Sequence, residues 1–241
     1  MSTGVGMSSC CLSGKIREGK PKGTEKDING ISTYVAEPEN GDKTKTVVFL
    51  VDIFGWTLPN VRLLADSYAA AGFTAYIPDV HSGDSIDESF LQTVEPPLAQ
   101  REQQSVVDKT ASGAKIGATL GPWLKPFSGS SEGKGVNAAF AAHPSLVSIP
   151  ADFDPVAVPL SLALGDKDSL LGEKEVGQIR EVMDAKKEGG QGEKLVQSEV
   201  RIYKDQIHGF ALRGDWGSEK DREAMDEAEK QGIEWFKKHL A

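Results

Sequence analysis

Thr46-Val47-Val48-Phe49-Leu50-Val51-Asp52-Ile53-Phe54-Gly55-Trp56 decides the fold class. Six apolar or β-branched residues run without interruption into a carboxylate and a Gly-containing turn. Such a run predicts a strand buried on both faces, as in a parallel sheet. A helix is predicted from Pro59 to Ala71, with Val61, Leu64, Ala65 and Tyr68 on one face and Gly72 as its stop. Phe73–Pro78 is then a second strand, and the three elements make a βαβ unit. Downstream, Val136–Ala142 and Val158–Leu164 are predicted as buried strands, and Lys174–Lys187 as a helix leading to the Gly189–Gly192 loop. Ser198–Tyr203 alternates as a strand, and a last helix spans Glu219–His239, with Ala224, Ala228, Ile233, Trp235 and Phe236 as its apolar stripe. Strands alternating with helices in this way predict a doubly wound α/β sheet.

Upstream, Ile31–Ala36 alternates and is expected at a sheet edge, while residues 1–30, polar and Gly-rich, are expected as a surface arm. The organisation read from this is an arm, 1–30, and one domain, 31–241. The interval 79–135 breaks the pattern. Lys115–Leu120 is a weak strand candidate in it, and loops of that length are uncommon in compact domains.

Composition narrows the function classes. The 241 residues carry a net charge of −9 with scattered Lys and Arg, which argues against a phosphate-backbone partner. No apolar run reaches bilayer length, so no membrane partner is expected. Residues 1–14 lack the basic and apolar regions of a secretory signal. The only cysteines, Cys10 and Cys11, are adjacent and make no disulfide framework, so a reducing cytoplasm is expected. Four dispersed histidines give no metal-ligand spacing, and no cofactor or metal is expected. Oligomeric state is not legible.

Three segments place polar residues at the C-terminal ends of strands, where open α/β sheets bind ligands. They are Val51–Trp56, Leu164-Gly165-Asp166-Lys167-Asp168, and Tyr203-Lys204-Asp205-Gln206-Ile207-His208-Gly209-Phe210. Asp166 and Asp168 also suit an ordinary turn. An acid after one strand and a histidine after the last, in that order, match the orienting acid and base of an α/β-hydrolase triad.

Several motifs together resemble the fungal branch of the dienelactone hydrolase family. They are Cys10–Gly14, the Asp52–Trp56 turn with Pro59–Asp66, Ala142-His143-Pro144-Ser145-Leu146-Val147, and His208-Gly209-Phe210-Ala211-Leu212-Arg213-Gly214. The resemblance covers nearly the whole chain. It implies a three-layer α/β-hydrolase-like sandwich with a mostly parallel sheet, and a Cys-His-Asp site acting on small enol esters, lactones or carboxylic esters. His208 then looks like the base and Asp168 its orienting acid. Asp52 resembles the carboxylate beside the resting nucleophile, and the Ile53 N–H an oxyanion donor. Trp56, Phe210 and Arg213 would face a small substrate.

The family's nucleophile elbow, Gly-x-Cys-x-Gly-Gly after a central strand, does not occur in this sequence. The chain passes from Leu124 to Val136 without it, so the usual nucleophile strand is expected to be missing. That loss amounts to a strand–turn–helix unit, on the order of 30 residues. Gly129-Ser130-Ser131-Glu132-Gly133 matches Gly-x-Ser-x-Gly formally, but no apolar strand precedes it and no helix follows. Cys10 or Cys11 would need a site that lowers its pKa. Three outcomes are open for such a chain: a hydrolase that has lost its thiol step, a lyase or isomerase using His208 and Asp168 for proton transfer, and a non-catalytic carboxylate-binding pseudoenzyme. His143 is expected to be a positioned loop residue without a named partner. His81 and His239 are expected to face solvent, and Trp56 and Trp216 to pack or to wall a cleft.

Overall fold

The computed structural model describes residues 13–92, 135–145, 147–188 and 195–240. Cys10, Cys11, Lys115–Leu120, the Leu124–Gly133 stretch with Ser131, and Gly189–Gly192 lie outside them, as does the expected loss of the nucleophile strand. The chain divides into two compact units, residues 1–122 and 123–241.

In the first unit a four-stranded sheet has the order β1-β2-β4-β3, with β1 Thr24–Ile28, β2 Ile31–Ala36, β3 Thr46–Val48 and β4 Thr74–Pro78. Of its three neighbour pairs, β1–β2 and β2–β4 are antiparallel and β3–β4 is parallel. Helix α1, Pro59–Ala70, connects β3 to β4 and packs on β4 and β2, burying Val61, Ala65 and Tyr68. The helix starts with Pro at its first position, where no intrahelical N–H bond is lost. A short helix, α2, spans Ser89–Gln92.

Two expectations change here. The end of the supposed arm is strand β1, joined to β2 by Asn29-Gly30, both at positive φ (55° and 82°). That is the two-residue hairpin turn Asn-Gly favours, and it puts β2 inside the sheet rather than at its edge. The Thr46–Val51 run is also not buried on both faces. Its strand stops at Val48, it is the terminal strand of this sheet, and Val48 and Leu50 are exposed. Successive side chains point to opposite faces, and only Val47, between exposed Thr46 and Val48, is buried.

The second unit has a parallel three-stranded sheet in the order β5-β6-β7: Ala139–Ala142, Leu160–Gly165 and Ser198–Tyr203. Helix α3, Glu173–Glu188, joins β6 to β7, and α5, Glu219–His239, closes the chain; α4 is the short Phe210–Arg213 turn. Side chains on β6 alternate between faces. Leu160, Leu162 and Leu164 cluster with Ile179 and Met183 of α3. Ala163 clusters instead with Ala224 and Ala228 of α5. The central strand is therefore buried on both faces, while β5, expected to be buried, is only half-buried as an end strand.

One polar network crosses the α5 face. Tyr203 donates to Gln231 Oε1 (2.7 Å), and Gln231 Nε2 donates to Ser161 Oγ (2.8 Å) and to the Leu162 carbonyl (3.2 Å). All three side chains are buried. Gln231→Leu should therefore cost roughly 1–3 kcal/mol, because the buried Tyr203 hydroxyl loses the acceptor it donates to, while Ser161 keeps Glu199 Oε2 at 3.3 Å. Urea unfolding checks this; an unchanged midpoint would show that the network adds no net stability.

Candidate active site

The C-terminal ends of β6 and β7 bring the predicted acid and base together. Gly165 ends β6 so close to the β7 loop that a Cβ there would lie 2.1 Å from the Gln206 carbonyl oxygen. The two turns are laced by Asp166 N–H to Tyr203 O (3.1 Å) and Lys167 N–H to Gln206 O (3.0 Å). Asp205 at φ 58° and Gly209 at φ 85° then turn the chain sharply on either side of His208.

Within this frame His208 Nδ1 lies 2.9 Å from Asp168 Oδ2. The other carboxylate oxygen accepts the Leu170 N–H at 2.8 Å. Both side chains are buried. Burial alone would raise the Asp168 carboxyl pKa, but the bonds from His208 and from Leu170 outweigh it and hold the group below its ordinary value. Asp168 is thus an anion held against Nδ1, which assigns the proton on that nitrogen and leaves Nε2 as the basic atom.

Phe210 and Arg213 lie beside this pair on α4, and both are buried. The Arg213 guanidinium passes over Gly209, where a Cβ would come within 2.6 Å of it, so only glycine accommodates that crossing. The structure adds a residue the sequence left without a partner. The ring of His143, directly after β5, lies edge-on to His208 at 5.1 Å between centroids and to Phe210 at 5.9 Å. Its motif was legible, but its neighbours come from another strand end and from α4, which sequence adjacency cannot reveal. Burial, then the nearby His208 and Arg213, push the His143 pKa down to about 3.

Asp52, Ile53 and Trp56 belong to the first unit, on the turn after β3. Asp52 Oδ1 accepts the Phe54 N–H (3.0 Å) and its carbonyl accepts the Gly55 N–H (3.0 Å). The Ile53 carbonyl accepts the Ile86 N–H (2.8 Å). Trp56 packs on the Arg62 guanidinium at 4.9 Å, and its carbonyl accepts from Arg62 Nε (3.0 Å).

The expectation for His81 is corrected: it is buried against this turn, where a Cβ on Gly55 would sit 3.3 Å from its Nδ1. The 79–86 loop folds inward because Asp79 accepts the His81 and Gly83 N–H groups (3.1 and 2.8 Å). Burial lowers the His81 pKa against the pull of Asp79, Asp52 and Asp84. His239 is half-buried rather than solvent-facing, its ring 4.3 Å from that of Trp235.

The family model described as the dienelactone hydrolase family matches residues 31–240. A hydrolase of Aspergillus violaceofuscus, pyvD, is 26% identical and aligns over 99% of both chains. A human carboxymethylenebutenolidase homolog is 27% identical, covering 90% of this chain and 91% of its own. Among solved structures, a dienelactone hydrolase-like promiscuous phosphotriesterase from metagenomic libraries superposes with a TM-score of 0.55 at 13% identity, over 90% of this chain and 97% of that one. The chain belongs to the dienelactone hydrolase family. Its fold class is accordingly that of the α/β hydrolases, as the strand–helix alternation and the parallel pairings in both units require.

Among the described residues, no helix is long and apolar enough to cross a membrane.

Proposed function

We propose that this chain is an ester- or lactone-hydrolase-type protein for small enol-ester, lactone or carboxylic ester substrates, in which His208 is the base, Asp168 its orienting acid, and the family's thiol step is lost. The observation that carries this reading is the buried 2.9 Å contact between His208 Nδ1 and Asp168 Oδ2. The family membership and the hydrolase relatives support the reaction class. The continuous family match over 31–240 supports reading 31–241 as one domain.

In this arrangement Asp168 keeps the proton on Nδ1 and stabilises the imidazolium that forms when Nε2 takes a proton. The family's thiol would supply that proton, but its elbow sequence is absent here. A water molecule on Nε2 is then the group left to attack the ester carbonyl, and the imidazolium returns its proton to the leaving alcohol. The resemblance adds the Ile53 N–H as an oxyanion donor, Asp52 as the carboxylate of the β3 turn, and Trp56, Phe210 and Arg213 as substrate-facing groups. With the nucleophile gone, a triad site retains roughly 10³–10⁴ over the uncatalysed rate. The adjacent Cys10 and Cys11 support a reducing, cytoplasmic setting.

A lyase or isomerase reading is favoured by the same missing elbow, since proton transfer at Nε2 needs no covalent intermediate. It differs in product: an isomer or an elimination product rather than acid plus alcohol.

The test is turnover of an activated aryl acetate and of a small enol lactone by the purified chain, its His208→Ala variant and its Asp168→Asn variant. Slow hydrolysis without a stoichiometric burst is expected, lower by about 10²–10⁴ in His208→Ala, the usual worth of a general base, and by no more than that in Asp168→Asn. Equal turnover in His208→Ala would sink the assignment of the base. A burst of one alcohol per chain would show that a covalent nucleophile is present after all.

A further inference from the structure

His143 combines two unfavourable features at one position. Its backbone lies in the left-handed region, at φ 39°, which non-glycine residues adopt uncommonly, histidine less rarely than most. Its Nε2 is buried without a hydrogen-bond partner among the described residues. Neither is required to end β5, because the ladder already closes with the His143 N–H donating to the Ala163 carbonyl at 2.8 Å. What the conformation does achieve is a ring contact with His208 and Phe210. Residues held in costly conformations persist where the surroundings over-determine them, and here the surroundings are the acid–base pair.

We propose that His143 is a positioning residue for the His208–Asp168 pair, its ring packing edge-on against the imidazole and holding it in the rotamer from which Nδ1 reaches the Asp168 carboxylate. The proposal rests on the reading of His208 and Asp168 as base and acid.

The ring can do this only as a neutral group. The charged or titratable groups facing it are His208 from the β7 loop, Arg213 from α4, and Asp168 from the β6 loop. Burial and the first two oppose a charge on His143 and outweigh the pull of Asp168. When His208 takes up a proton, its neighbour therefore stays uncharged and does not repel it. A phenyl ring could fill the same role, whereas a second cation could not.

The experiment is imidazole NMR on the whole chain, uniformly labelled with ¹⁵N, which needs no turnover. In the unmodified chain His143 should show a neutral ring, unchanged from pH 8 to pH 5. His208 should show a low-field Nδ1 proton, identified by its loss in Asp168→Asn. His143→Phe should retain that proton and His143→Ala should lose it to exchange, with the backbone amide spectrum of α3 and β7 unchanged in both. Titration of His143 between pH 8 and pH 5 would overturn the proposal even if neither variant folds. So would a low-field His208 proton that persists undiminished in a folded His143→Ala chain. An inactive chain that still shows this proton, retained by Phe and lost by Ala, separates the two readings: hydrolysis fails and the positioning role stands.

Discussion

Gly165→Ala is expected to destabilise the chain by at least about 3 kcal/mol, at the upper end of what a single added methyl group costs in a packed interior. The reason is that the new carbon would meet backbone rather than a yielding side chain: 2.1 Å to the Gln206 carbonyl oxygen and 2.7 Å to its carbon. Relief requires β6 and the β7 loop to part. The Asp166–Tyr203 and Lys167–Gln206 backbone bonds join those same two turns, so they weaken together. The His208–Asp168 contact spans the same corner and should lengthen with them. For a chain of this size the loss corresponds to a melting temperature lower by roughly 6–12 °C. Gly177→Ala is the internal contrast. Gly177 lies inside α3 with open space where its Cβ would go, so alanine there should stabilise by up to about 1 kcal/mol. Thermal melts of the two variants decide the matter. Similar shifts in both would mean that the close approach at Gly165 relaxes at little cost.

Acidification gives the second large effect. His143 is held down to about 3 by burial and neighbouring charge, and His81 is lowered by burial as well. In the unfolded chain both titrate near 6.5. Above that value each is neutral in both states and contributes no pH dependence. As pH falls below 6.5 the unfolded chain gains protons that the folded chain refuses, so stability drops. For His143 the slope is at most about 1.4 kcal/mol per pH unit, continuing until the folded group itself titrates near 3. Asp168 adds a separate loss at lower pH, because its depressed carboxylate stabilises the fold above the unfolded value of about 3.9 and ceases to as pH falls through its folded value. Urea midpoints between pH 7.5 and pH 4.5 should therefore decline in the unmodified chain and decline less in His143→Phe. Identical slopes in the two would show that His143 is not the group refusing the proton.

Much of the second unit was legible in sequence. Ser198–Tyr203 and Glu219–His239 are found with the bounds read from them, because an alternating strand and a long amphipathic helix each carry their period in the residues themselves. The meeting of Asp168 and His208 was legible too, since both stand just after strand ends. Strand β1 was missed although Asn29-Gly30 signals its hairpin: its five residues are all exposed and so lack an apolar pattern. His81 was misread because an isolated histidine in a polar loop carries no burial signal. The loop's inward turn depends on Asp79 and on the fit against Gly55.

By itself the sequence determined the α/β alternation, the family resemblance, the strand-end positions of Asp168 and His208, and the absence of the Gly-x-Cys-x-Gly-Gly elbow. These are local properties, written in period, punctuation and short motifs. Only the tertiary structure decided that β3 and β5 are end strands among the described residues, that Gly165 admits no side chain, and that His143 lies against His208. Each of those depends on which distant segments meet at a strand end, and a close approach between backbones or rings leaves no periodic trace in the residues that make it.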